Sequence, residues 1–193
     1  SDPFMPITAI SVHLQWMDTL VTLAVPPKTL TMEQAQEQCK EFPNTHLFAD
    51  ERDMLKTFLD LIQDSDIITG WNSEGYDIPY TVNRVAKVLS KDDTRRFCLF
   101  DQFPKKREYE KFGRQQETYD LIGRVHLDSL ELYRKYTYEE RHTYRLDAIG
   151  EIEVGENKVP YEGTLDQLYN NDFRKFIEYN IQDTALLDKL DKK

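Results

Sequence analysis

Apolar positions recur along this chain with two different periods, and the places where the period changes mark its elements. Ile7 to Leu14 and Thr19 to Ala24 are β-rich runs separated by Gln15 to Asp18, the spacing of a hairpin, and Pro26 and Pro27 stop the second strand. A short polar helix is expected from Met32 to Phe42. After a turn at Pro43 and Asn44, Asp50 stands where it can cap a helix, with Asp53 three residues on and Met54, Leu55, Phe58, Leu59 and Ile62 on one face. Ile67, Ile68 and Thr69 form a strand that ends at Gly70, and from Ile78 to about Leu89 a helix pattern turns Tyr80, Val82, Val85 and Leu89 inward. Val125 to Asp128 is a short strand feeding a helix from Ser129 to Tyr136. A further short helix is expected from Arg145 to Ile152 and a turn region from Lys158 to Gly163. The last helix starts near Asp172 and carries Phe173, Phe176, Ile177, Ile181, Leu186, Leu187 and Leu190. Strands alternating with helices put the chain in the α/β class.

Two places in this pattern carry chemistry. The loop after Gly70 crowds an amide, a phenol and a carboxylate, Asn72, Tyr76 and Asp77, at the end of a strand, where open α/β sheets place their ligands. Asp77 alone reads as the N-cap of the helix at Ile78. On the last helix, Tyr179 and Asp183 are four residues apart and so neighbours on one face. Such a pair alone reads as a core tyrosine beside a surface acid.

From Lys91 to Gly123 charge and aromatics are densely mixed. Two β-prone flanks, Phe97 to Phe103 and Glu117 to Ile122, enclose a basic middle of Lys105, Lys106, Arg107, Lys111 and Arg114, interleaved with Tyr109 and Phe112. An extended hairpin or surface excursion is expected there, suited to a phosphate backbone and unstacked bases. The competing reading is a solvated, salt-bridged excursion, because Glu108 and Glu110 dilute the charge.

Composition narrows the function. The 193 residues suffice for one domain, and a net charge of −10 argues against indiscriminate attachment to nucleic acid or anionic membrane. It leaves room for a nuclease, whose divalent cations need local carboxylates. Cys39 and Cys98, far apart and without metal spacing, fit a reducing compartment, and no run approaches a membrane span. The four histidines, His13, His46, His126 and His142, lack ligand spacing.

Four segments occur in order, GWNSEGYDIPYTVNRV, LDSLELYRKYTY, YRLDAIGE and YNIQD. Together they resemble the 3′ to 5′ proofreading exonuclease domain of family B replicative DNA polymerases, of the T-even bacteriophage type, a DEDD exonuclease with tyrosine. The resemblance implies an RNase H-like α/β fold, a mixed sheet flanked by helices, over residues 1–193, with the basic excursion at about 91–123. It implies hydrolysis of the 3′-terminal phosphodiester of single-stranded DNA by two divalent ions, Mg or Mn, roughly 4 Å apart. Asp77 would then help hold one ion and Asp183 the other. Tyr179 would orient the attacking water, while Asn72 and Tyr76 shape the pocket for the terminal nucleotide. The partners implied are a single-stranded DNA end and the remainder of a polymerase, in the cytoplasm of a phage-infected host cell. The basic excursion falls where phage members carry a hairpin implicated in moving the primer end between sites.

One element of the pattern is missing. The family's first motif, Asp-x-Glu on an opening strand, occurs nowhere in this sequence. The first catalytic strand is therefore expected to be absent, with PITAISVH standing directly after it. Two acids in place of four should hold a metal pair poorly, so this chain is expected to be inactive or impaired. Neighbouring strands would be left with unpaired edges, closed by rearrangement of the N-terminal hairpin or by another chain. The palm motifs of polymerisation are also missing. The alternative is a catalytically silent nucleic-acid-binding or scaffolding module with the same fold.

Overall fold

The computed structural model describes residues 6–14, 18–63, 67–70, 78–111, 113–121, 125–128 and 165–191. They fall into two compact units, one drawn from Ile7–Met54 with Thr143–Lys193, the other from Ser1–Pro6 with Leu55–His142.

The first unit is a three-stranded sheet covered by helices. Strand β1 (Ala9–Leu14) pairs antiparallel with β2 (Thr19–Ala24) in the register Ala9↔Ala24 to Leu14↔Thr19, the expected hairpin. Asp18, at the turn, takes a left-handed φ of 46° that Asp tolerates better than most residues. A strand without a clear sequence signal, β3 (Thr45–Leu47), lies parallel to β2 on its other side, pairing Thr22 with Thr45 and Ala24 with Leu47. Thus β2 is central, and its last four residues, Val21 to Ala24, are all buried. Burial on both faces suppresses the polar alternation of a half-exposed strand. Thr22 is accommodated there by a 2.9 Å hydrogen bond between its hydroxyl and that of Ser11.

Helix α1 (Met32–Cys39) is shorter than expected, ending at Cys39 rather than Phe42. Its start is a capping box: Gln34 N donates to Thr31 Oγ1 at 3.1 Å, and Thr31 N donates to Gln34 Oε1 at 2.9 Å. Two C-terminal helices follow, α4 (Leu165–Asn171) and α5 (Phe173–Asp191). Asp172 separates them and caps the second, accepting from Lys175 N at 3.2 Å. The core gathers Ala24, Ala35, Cys39, Leu168, Phe173, Phe176 and Ile177. Tyr169 stands edge-on to both Phe173, at 5.9 Å, and Phe176, at 5.0 Å, and its hydroxyl donates to the carbonyl of Val25.

The second unit contains a parallel pair, β4 (Ile67–Gly70) and β7 (Val125–Asp128), running from Ile67↔Val125 to Gly70↔Asp128. Parallel strands need a crossover, and the chain between them supplies helix α3 (Ile78–Val88) and the excursion. Helix α2 (Glu51–Ile62) begins as expected, with Asp50 Oδ1 accepting from Asp53 N at 2.9 Å. Its Leu55, Leu59 and Ile62, the Ile78, Val82 and Val85 of α3, and Phe97, Cys98 and Leu121 are buried apolar positions among the described residues of this unit.

The excursion differs from the expected boundaries. Phe97 to Phe103 is not a strand: a 3-10 helix spans Asp92–Phe97, and the chain then turns through Phe100 and Asp101, both at positive φ. The basic middle is itself the strand β5 (Lys105–Lys111), paired antiparallel with β6 (Arg114–Asp120). Cross-strand pairing stabilises a charged sequence that lacks β-branched residues: Arg107 Nε reaches Asp120 at 2.8 Å and Lys106 Nζ reaches Glu117 at 3.3 Å. Gly113 closes the turn with φ +74°, a left-handed conformation that glycine adopts without cost. The hairpin joins α3 through Tyr119, whose hydroxyl donates to Asn83 Oδ1 at 2.6 Å.

Among the described residues β1 pairs with β2 alone and β4 with β7 alone, each leaving one edge without a strand. Asn72, Tyr76, Asp77, Phe112 and His142 lie outside the described residues, as do the helices expected at Ser129–Tyr136 and Arg145–Ile152 and the turn at Lys158–Gly163.

Candidate active site on the C-terminal helix

Helix α5 is positioned by its first two turns. Phe173, Phe176 and Ile177 follow the i, i+3, i+4 spacing of one apolar stripe and are all buried, which stabilises the helix by roughly 1.5–3 kcal/mol per side chain. Further along, Asn180 Nδ2 donates to Phe176 O at 2.9 Å and Thr184 Oγ1 to Asn180 O at 3.1 Å, so polar side chains continue the buried face while bonding to their own helix. Thr184 Oγ1 also approaches Ser11 O at 3.5 Å, which fixes this part of α5 against β1.

Tyr179 and Asp183 therefore stand on a helix anchored at both turns. Tyr179 is half-buried and packs against the core cluster, and Asp183, one turn on, is half-buried with its Oδ1 shielded from solvent. A phenol and a carboxylate on one flank can share a water or cation between them. The surface acid of the simpler reading is not what the structure contains.

The other site residues are distributed differently. Lys105, Lys106, Arg107 and Arg114 are exposed on the hairpin, and Lys111 stands opposite Arg114 in its register. Lys106 and Arg107 carry acidic partners drawn from β6, Glu117 and Asp120. Half-exposed pairs of this kind contribute about 0.2–1 kcal/mol each. Register also sets Asp128 opposite Gly70, at the strand end that leads into Asn72 and Asp77. Sequence reading passed over Arg84, which is buried on α3; its signal was the i, i+4 spacing from Tyr80 on the helix. His13 Nε2 meets Asp18 Oδ1 at 3.0 Å, which gives that histidine a place in the hairpin turn. Among the described residues no group of three or more His, Cys, Asp or Glu gathers as a cation site.

The described strands and helices make an α/β chain whose capped C-terminal helix presents Tyr-x-x-x-Asp, the arrangement expected of an RNase H-like exonuclease domain. Comparison with known proteins makes the assignment specific. The family described as DNA polymerase family B, exonuclease domain, matches residues 2–149, and the chain belongs to it. Over 147 residues, 75% of this chain, it is 33% identical to the DNA-directed DNA polymerase of Enterobacteria phage T4. Over 148 residues it is 30% identical to that of Escherichia phage RB69, and over 161 residues 28% identical to a DNA polymerase of Methanocaldococcus jannaschii. The chain is thus similar to phage and archaeal polymerases, but it spans only 16% of the length of each phage protein and 9% of the archaeal one. The family match takes in Asn72, Tyr76, Asp77 and the hairpin and ends before Tyr179 and Asp183.

Proposed function

We propose that this chain is the editing part of a family B DNA polymerase and removes nucleotides from single-stranded 3′ ends by metal-dependent hydrolysis. One observation carries the reading: in a chain belonging to the polymerase exonuclease family, Tyr179 and Asp183 sit one turn apart on an anchored helix, both half-buried. The donor chemistry fits a hard divalent cation, since a carboxylate with a solvent-shielded oxygen suits Mg or Mn. Asp183, with Asp77 from the loop after β4, would hold the metal pair, which when bound supplies an activated water and stabilises the leaving 3′ oxygen. Tyr179 orients the attacking water through its hydroxyl, and Asn72 and Tyr76 contact the terminal nucleotide. The hairpin β5–β6 meets the phosphate backbone. The remainder of a polymerase is the expected partner, in the cytoplasm of an infected host cell.

The family match takes in the hairpin and ends before Tyr179 and Asp183, which leaves a second reading, a silent binding module with the same fold. Both are tested by fusing a strand bearing Asp-x-Glu ahead of Pro6 and following oligonucleotides labelled at either end, with Mg²⁺, with Mn²⁺ and with EDTA. The proposal expects slow or no release by the chain alone, and release of the 3′ label by the fusion only when metal is present. Release from the 5′ end, or in EDTA, overturns it. Binding without cleavage by the fusion establishes the silent module.

A further inference from the structure

The hairpin β5–β6 has two faces of opposite charge, and its register assigns each residue to one of them. Residues directly opposite in an antiparallel pair share a face, and the faces alternate along each strand. Lys105, Arg107, Tyr109 and Lys111 therefore share a face with Asp120, Thr118, Gln116 and Arg114, while Lys106, Glu108 and Glu110 share the other with Tyr119, Glu117 and Gln115. The observed contacts agree with that division. Arg107 pairs with Asp120 and Tyr109 Oη donates to Gln116 Oε1 at 2.9 Å, both within the first face, whereas Lys106 pairs with Glu117 within the second. By register the first face thus holds four cations against one acid, and the second holds one cation against three acids.

We propose that the hairpin grips a single-stranded nucleic acid by one face only, through Lys105, Arg107 and Arg114, and that Glu108, Glu110 and Glu117 repel the polyanion from the other. Lys106, neutralised among those acids, takes no part, although it lies in the same basic run of sequence. This inference rests on the reading of the chain as acting on single-stranded ends. Arg107 is set in advance for the task. Asp120 fixes its Nε at 2.8 Å, and its guanidinium lies 5.6 Å from the Tyr109 ring, so its charge is held in one orientation on this face. Thr118 is only 1% exposed, so the base of this face is covered and the strand reaches it along β5 and the turn, where Lys105 and Arg114 are exposed.

The test is the salt dependence of binding to a labelled oligothymidylate, measured by fluorescence anisotropy in EDTA so that nothing is cleaved. Each phosphate contact to a single strand contributes about 0.7 to the slope of log affinity against log salt. The double variant Lys105→Gln with Arg114→Gln should lower that slope by about 1.4. Lys106→Gln should leave it unchanged, whereas Glu108→Gln with Glu110→Gln on the same face should tighten binding at low salt by removing the repulsion. A fall for Lys106→Gln equal to that for Arg114→Gln alone overturns the one-faced grip while leaving the nuclease reading intact. An unaltered slope in the double variant overturns it also. Failure of the parent chain to bind the oligonucleotide overturns both.

Discussion

Helix α5 holds Tyr179 and Asp183 by burying what lies beside them: Phe173 and Phe176 are covered, and Ile177 has no exposed surface. Hairpin β5–β6 buries little beyond Thr118, and holds Arg107 and Lys106 by pairing them across the strands with Asp120 and Glu117. The first arrangement fixes a few polar atoms in place in a site that is partly dry. The second leaves cations in water, where they attract a polyanion over a Debye length of about 10 Å at 0.1 M salt but specify little geometry. Apolar packing thus serves the group that would do chemistry, and surface charge the segment that would collect substrate. Perturbing the two should therefore give responses of different size and different salt dependence.

Phe173→Ala should have the largest effect, because a buried ring meeting Tyr169 and Phe176 is lost. A cost of about 3–5 kcal/mol is expected in chemical denaturation, independent of salt. Gly113→Val should cost about 1–2 kcal/mol at the hairpin turn. A side chain there meets nothing within 4 Å, so backbone strain at φ +74° is the whole effect. Hydrogen exchange should then rise in β5 and β6 and not in α5. Removing the α1 cap by Thr31→Ala should cost about 1 kcal/mol, since Gln34 N loses its acceptor. Smallest of all, Glu117→Gln should change stability by less than about 1 kcal/mol, and that difference should vanish at 1 M salt. A large, salt-independent loss there would end the contrast between the regions.

A pH measurement sharpens the same contrast. Burial pushes the Cys39 thiol up from its ordinary value of 9.0, with Arg174 opposing in part. The neutral form is thus favoured in the folded chain, and its contribution is intact below pH 9. Above that value the unfolded chain loses the proton first and stability falls as pH rises. Replacing Cys39 with Ala should flatten that alkaline decline, read as the slope of unfolding free energy against pH.

Much of this was legible in the sequence where a local signal existed. The β1–β2 hairpin, the Asp50 cap of α2, the strands β4 and β7, and the start of α5 at Asp172 all follow from alternation, capping residues or turn residues near the element itself. Strand β3 was not legible, because three residues with no alternation become a strand only through a parallel partner twenty-three positions away, Thr22 for Thr45. The hairpin was placed but misframed. Aromatic residues drew the strand to Phe97–Phe103, whereas the stabilising pairs were charges whose partners only the register reveals. Within the candidate site, the Tyr179–Asp183 spacing was visible as helix periodicity, but their half-burial depended on how α5 packs on β1 and the core. Division of the basic run into two faces was likewise invisible until β5 and β6 were paired.

The central claim is that Asp183 belongs to a metal-dependent site for hydrolysing a 3′ end. The most direct measurement is the rate of 3′-label release by the Asp-x-Glu fusion with Asp183 intact and as Asp183→Asn, in Mg²⁺, with circular dichroism to confirm an unchanged fold. Outer-shell changes at metal sites already cost about 10–100-fold, so loss of a ligand should lower the rate at least about a hundredfold. An Asp183→Asn chain that folds normally and releases the 3′ label at the parent's rate would contradict the account.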